Sequence, residues 1–105
     1  MKRAVLNELE VNARATVLGD LISGTRIVKG GVHAFKPGEI AHAGQSHVHD
    51  SEEVFLVLQG KGKLPVDDDV HEVRAGDVIV IEPGENHHMT SGEDDPLVVV
   101  WLHIE

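Results

Sequence analysis

The chain has no cysteine and no tyrosine, and Phe35, Phe55 and Trp101 are its three aromatic residues. Without thiols there are no disulfides and no thiolate metal sites, so any metal must be held by imidazole or carboxylate. Without a phenol, mechanisms that use tyrosine as proton donor lose their group. Three rings are also too few to stack a nucleotide or flavonoid on several faces. Basic residues are scarce: nine against eighteen acidic ones give a formal charge of −9, which repels phosphate backbones and anionic lipid surfaces. Neither nucleic acid nor a membrane is expected as a partner. No apolar run approaches the roughly 18–20 residues of a membrane helix, and Asn7, Glu8 and Glu10 break the opening segment before an export signal develops. The expected location is cytoplasmic.

What the chain does have is short β-like segments punctuated by glycine and proline. At 105 residues it makes one domain that can bury its own core. Residues 25–35 read as a strand with a bend or bulge at Gly30-Gly31, ended by Lys36-Pro37-Gly38-Glu39. Residues 54–58, 64–66, 70–73, 78–81 and 97–104 read as further strands, with Asp67-Asp68-Asp69 and Ala75-Gly76-Asp77 turning between them. Strands at this spacing indicate an all-β jelly roll or barrel. Residues 23–105 are assigned to the barrel and 1–22 to an N-terminal arm. Within that arm residues 6–22 fit neither period, and a short helix and an arm strand are equally compatible with them.

The functional signal is the run His47-Val48-His49-Asp50-Ser51-Glu52-Glu53. On a strand, alternate residues share a face and each residue rises about 3.3 Å, so His47 and His49 point the same way roughly 6.6 Å apart. Two imidazoles at that distance can converge on one cation. The pattern resembles the first motif of the cupin family, a His-x-His, then a Glu, then a Gly, met here by His47, His49, Glu53 and Gly60. A second cupin motif resembles residues 76–87, from Gly76-Asp77 through Pro83-Gly84 to His87. Ala41, Glu82 and Ser91 depart from the usual residues, and none is at a ligand position. The resemblance covers the chain from about Phe35 to the last strand. It implies a single-domain cupin jelly-roll β-barrel, a double-stranded β-helix, with one divalent transition metal ion (Fe, Mn, Ni, Co, Cu or Zn) on His47, His49, Glu53 and His87. Four such ligands on a six-coordinate ion leave two positions open for a small oxygen-bearing ligand or substrate.

Other polar residues have less pointed readings. His88 is a candidate catalytic base, although a regular strand would turn it away from His87. His33 and His103 are either packing residues or donors behind the ligands, His42 can overhang the cavity mouth, and Met89 fills the core. Glu52 alternates away from Glu53, so it is expected at the solvated surface. The ligand set and the resemblance favour a metal-dependent enzyme, such as a dioxygenase, isomerase or lyase, over a non-catalytic binding or sensing module, and both over a structural role. Residues 54–58 and 97–102 are apolar on both faces, more than one small barrel interior needs, so a homodimer is expected.

Overall fold

A computed structural model of the protein describes residues 1–44 and 48–105. Among the described residues eight strands alternate with turns in chain order: β1 (Lys2–Val5), β2 (Ile27–Ala34), β3 (Glu52–Gln59), β4 (Lys61–Val66), β5 (Asp69–Arg74), β6 (Asp77–Ile81), β7 (Thr90–Ser91) and β8 (Val98–Ile104). A single 3₁₀ turn (Leu6–Glu8) and a short helix α1 (Val17–Leu21) lie between β1 and β2. The strands form a five-stranded sheet in the order β1-β6-β3-β8-β2 and a three-stranded sheet in the order β5-β4-β7. All the pairings are antiparallel.

The alternation of β3 explains the layering. Glu53, Phe55 and Val57 face inward, and the apolar members of that face join Leu64, Val66 and Val73 of the smaller sheet, Ile79 and Ile81 of β6, and Met89, Leu97 and Val99 in one core. Residues on the opposite face, Val54 of β3 and Val78 and Val80 of β6, form a second cluster with Ile104, covered by Val17, Leu21 and Ile22. The N-terminal segment thus supplies both a strand and a short helix. It covers from within the chain much of the outer face whose two-sided apolar strands led to the expectation of a partner. Burying each large aliphatic side chain here contributes about 1.5–3 kcal/mol.

Two local expectations change, and one strand is added. The irregularity in β2 falls between Ile27 and Lys29. Gly30 and Gly31 instead lie in regular pairing, and they are glycine because their neighbours on β8 leave no room: a Cβ on Gly31 would lie 2.8 Å from the Trp101 ring, and one on Gly30 2.7 Å from Leu102. Glu52 does alternate away from Glu53, but it is buried rather than solvated, because its carboxylate accepts the backbone N–H groups of Ser23 and Gly24, each at 2.8 Å. That contact ties the end of the N-terminal segment to β3. Lys2–Val5 is a strand that the sequence reading left unassigned, paired along β6.

Candidate metal centre

Glu53 is the second residue of β3, 4% exposed, and its carboxylate is the focus of three imidazoles. His87 Nε2 lies 2.8 Å from Glu53 Oε1, His49 Nε2 3.4 Å from the same oxygen, and His103 Nε2 3.3 Å from Oε2. Each comes from a different part of the fold. His103 on β8 stands directly across from Glu53 in the sheet register. His49 precedes β3, and its carbonyl accepts the N–H of Gly84, whose φ of 87° suits glycine in the turn after β6. His87 follows that same turn and is bridged to Val66 at the end of β4. The two motifs are therefore fastened to each other by backbone as well as by side chains.

The donor chemistry fits a divalent ion. Ligand atoms of His49, Glu53 and His103 all lie within 4.8 Å of one another, a trio with His103 where the motif resemblance has His87, and neutral imidazole with carboxylate suits ions from manganese to zinc. His87 adds a sharper indication. Its Nδ1 lies 3.1 Å from the Glu85 carbonyl and its Nε2 2.8 Å from the Glu53 carboxylate, so both ring nitrogens face acceptors. A neutral imidazole has one N–H. One of the two approaches therefore needs a cation between nitrogen and oxygen, either a second proton or a metal ion. A carbonyl holding the far N–H is the arrangement that orients a metal-ligating histidine.

Electrostatics act in the same direction. Burial pushes the Glu53 carboxyl up, but the hydrogen bond with His87 and the charges of His87, His103 and His49 outweigh it, holding the group below its ordinary value. Burial holds His49 below its ordinary value, the pull of Glu53 the other way being insufficient, and His103, His87 and Lys29 add to the lowering. An ionised carboxylate beside a neutral imidazole is the protonation state that metal binding requires.

Beside the cluster is a cavity of about 210 Å³, walled by Phe35, Phe55, Met89, Val99 and Trp101, with Lys29, His33 and His42 also lining it. The Trp101 ring meets His103 edge-on at 5.6 Å, and His33 stacks on Phe35 at 3.6 Å while its Nε2 lies 3.0 Å from Glu39. Of the four ligands read from the sequence, the structure brings His49, Glu53 and His87 together, and His47 lies outside the described residues. His88 does not line the cavity; its Nδ1 lies 3.4 Å from the Ala41 carbonyl. Sequence alone leaves His103 between a packing residue and a donor behind the ligands, and the structure places it on the carboxylate. Its signal was parity: 99, 101 and 103 share a face of β8, but sequence alone does not say which face is inner. Nothing in the sequence singles out Lys29, although 29, 31 and 33 alternate in the same way on β2.

Comparison with known proteins agrees with this geometry. The cupin domain model, Cupin_2, matches residues 26–103. The uncharacterized HTH-type transcriptional regulator YdiP of Escherichia coli is 37% identical over 51 residues, which are 48% of this chain and 17% of the regulator. This chain spans less than half the length of the curated relatives it matches. A predicted oxalate decarboxylase from Thermotoga maritima superposes with a TM-score of 0.65 at 23% identity, over 74% of this chain and 66% of that one. A protein with a double-stranded β-helix domain from Klebsiella pneumoniae superposes with a TM-score of 0.64 at 19% identity, over 89% and 90% of the two chains. Two antiparallel sheets and a family match over most of the length lead to one conclusion: the chain belongs to the cupin family.

Proposed function

We propose that this cupin binds one divalent transition metal ion through His49, Glu53 and His87, with His47 as the fourth ligand implied by the His-x-His motif, and that the ion presents a small oxygen-bearing molecule to the cavity. The observation that supports this most is the buried Glu53 carboxylate ringed by the Nε2 atoms of His49, His87 and His103 at 2.8–3.4 Å. An ion held there would supply Lewis acidity toward an oxygen donor. The protein's own residues orient the donors, through the Gly84-to-His49 and His87-to-Glu85 contacts, and exclude water with the aromatic and aliphatic wall.

The reading leans toward a metal-dependent enzyme of the dioxygenase, isomerase or lyase kind acting on an acid, keto-enol or sugar-like molecule. The similarity to a predicted oxalate decarboxylase supports small oxygenated substrates. The sequence similarity to a transcriptional regulator favours a second reading, a ligand-sensing cupin module. No role is assigned to His88, whose ring faces Ala41. Elemental analysis of the isolated protein, followed by oxygen-uptake and isomerisation screens on small hydroxy, keto and dicarboxylic acids, separates the readings. Turnover supports the enzyme, metal-dependent binding without turnover supports the sensor, and absence of stoichiometric metal rejects both.

A homodimer belongs to the same proposal. The N-terminal segment covers only part of the outer sheet face, and Ile27 and Val32 on edge strand β2 are 61% and 64% exposed. Pairing along that edge would cover it. Sedimentation equilibrium at micromolar concentration should give twice the chain mass; a single-chain mass refutes the dimer.

A further inference from the structure

One row on the inner face of the larger sheet runs from Lys29 on β2 to His103 on β8 to Glu53 on β3. Adjacent strands are about 4.8 Å apart, so the Lys29 and Glu53 backbones are separated by two spacings, roughly 10 Å. His103 stands between them and meets the carboxylate itself. Among the described residues Lys29 has no ion-pair partner. Yet it lines the same cavity, where, among the described residues, Glu53 is the one acid and Lys29 the one lysine or arginine. The acid of this cavity is thus already committed to imidazoles, while the ammonium is left for something that enters.

Size and charge narrow what that is. A cavity of about 210 Å³ is smaller than the roughly 300–1,000 Å³ of pockets for drug-sized molecules. The protein carries a formal charge of −9, which opposes the approach of anions in general. An ammonium on the wall of this cavity, whose other lining residues are apolar side chains, histidines and the already engaged Glu53, favours an anion locally, and it offers three donors to a carboxylate. We infer that the ligand of this cavity is a small carboxylic acid with a second oxygen donor, a 2-oxo acid or dicarboxylate, whose carboxylate is held by Lys29 while its other end faces His49, Glu53 and His87. This rests on the metal-centre reading and adds the ligand's charge and the residue that selects it.

The test uses the full chain loaded with Co(II), with pyruvate as the charged probe and hydroxyacetone as the neutral one, read from the visible spectrum of the bound ion. Lys29 is exposed on an edge strand, so Lys29→Met keeps the fold, and cobalt content is measured alongside. Lys29→Met should weaken pyruvate binding about tenfold, the worth of one charge-assisted hydrogen bond. Hydroxyacetone affinity and cobalt stoichiometry should stay at wild-type values, and Lys29→Arg should retain most of the pyruvate affinity. Unchanged pyruvate affinity in Lys29→Met, or no pyruvate binding to the cobalt-loaded wild type, overturns the inference and leaves the metal centre standing. A wild type that takes up no stoichiometric cobalt overturns the metal-centre reading, and this inference with it.

Discussion

Replacing Glu53 by glutamine separates the two things this carboxylate does. The side chain keeps its volume and an oxygen that can accept from His87, at 2.8 Å in the wild type, but loses its charge. Hydrogen bonds to charged groups contribute about 1.5–3 kcal/mol and neutral ones about 0.5–1.5 kcal/mol, so the metal-free protein should lose only about 1 kcal/mol. The metal-bound protein should lose much more. An ion present at a hundred times its dissociation constant stabilises the wild type by about 2.7 kcal/mol, and a hundredfold weaker affinity at the same concentration leaves about 0.4 kcal/mol. For a domain of this size 1 kcal/mol moves the melting temperature by about 4 °C or more. Calorimetry with chelator and with added Zn(II) or Co(II) should therefore show a rise of about 10 °C or more for the wild type and about 2 °C for Glu53→Gln. An equal metal-induced rise in both proteins would refute the assignment of Glu53 as a ligand.

Three further outcomes test the surroundings of the site. His49 is held below its ordinary value of 6.5 and Glu53 below 4.5, so in both windows the unfolded chain binds more protons than the folded one and stability is lost as the pH is lowered; the urea midpoint of metal-free protein should drop from pH 7 to 5 and further toward 4, His49→Ala should flatten the upper part, and a constant midpoint from pH 7 to 4 would contradict this. Gly31→Val places a branched side chain where a Cβ already lies 2.8 Å from Trp101, so it should cost about 1–3 kcal/mol and shift the emission of the single tryptophan, whereas a wild-type midpoint and spectrum would show that Gly31 is not crowded. Glu52→Ala removes the acceptor for Ser23 and Gly24 and should cost about 1–3 kcal/mol while speeding proteolysis between residues 12 and 24; an unchanged digest would mean that the segment is held by its apolar contacts alone.

The barrel was legible because its strands are short apolar runs bounded by turns rich in glycine, proline and aspartate, as in residues 77–81 and 98–104. Lys2–Val5 was not legible: four residues show too little alternation, and its strand state comes from pairing with β6. Thr90–Ser91 is shorter still. The candidate ligands were legible from residue type and motif spacing rather than from strand parity: Glu53 is on β3, but His49 precedes that strand, so the face it presents is set by the backbone contact of its carbonyl with Gly84. His103 and Lys29 were only half legible, because parity groups 99, 101 and 103, or 29, 31 and 33, without telling which group faces the core. That choice is made by sheet packing, where β8 lies between β2 and β3. Glu52 shows the same limit from the other side: its face was read correctly, but its burial depends on Ser23 and Gly24, remote in sequence.

The most direct test of the metal centre is a stoichiometric titration of chelator-stripped protein with Co(II), run on the wild type beside His49→Ala, Glu53→Ala and His87→Ala, with circular dichroism confirming that each remains folded. One ion per wild-type chain, and affinity lowered at least about a hundredfold in each variant, is the expected result, since each removes a ligand and even partners behind the ligands cost 10–100-fold. Wild-type stoichiometry and affinity in all three variants would contradict it.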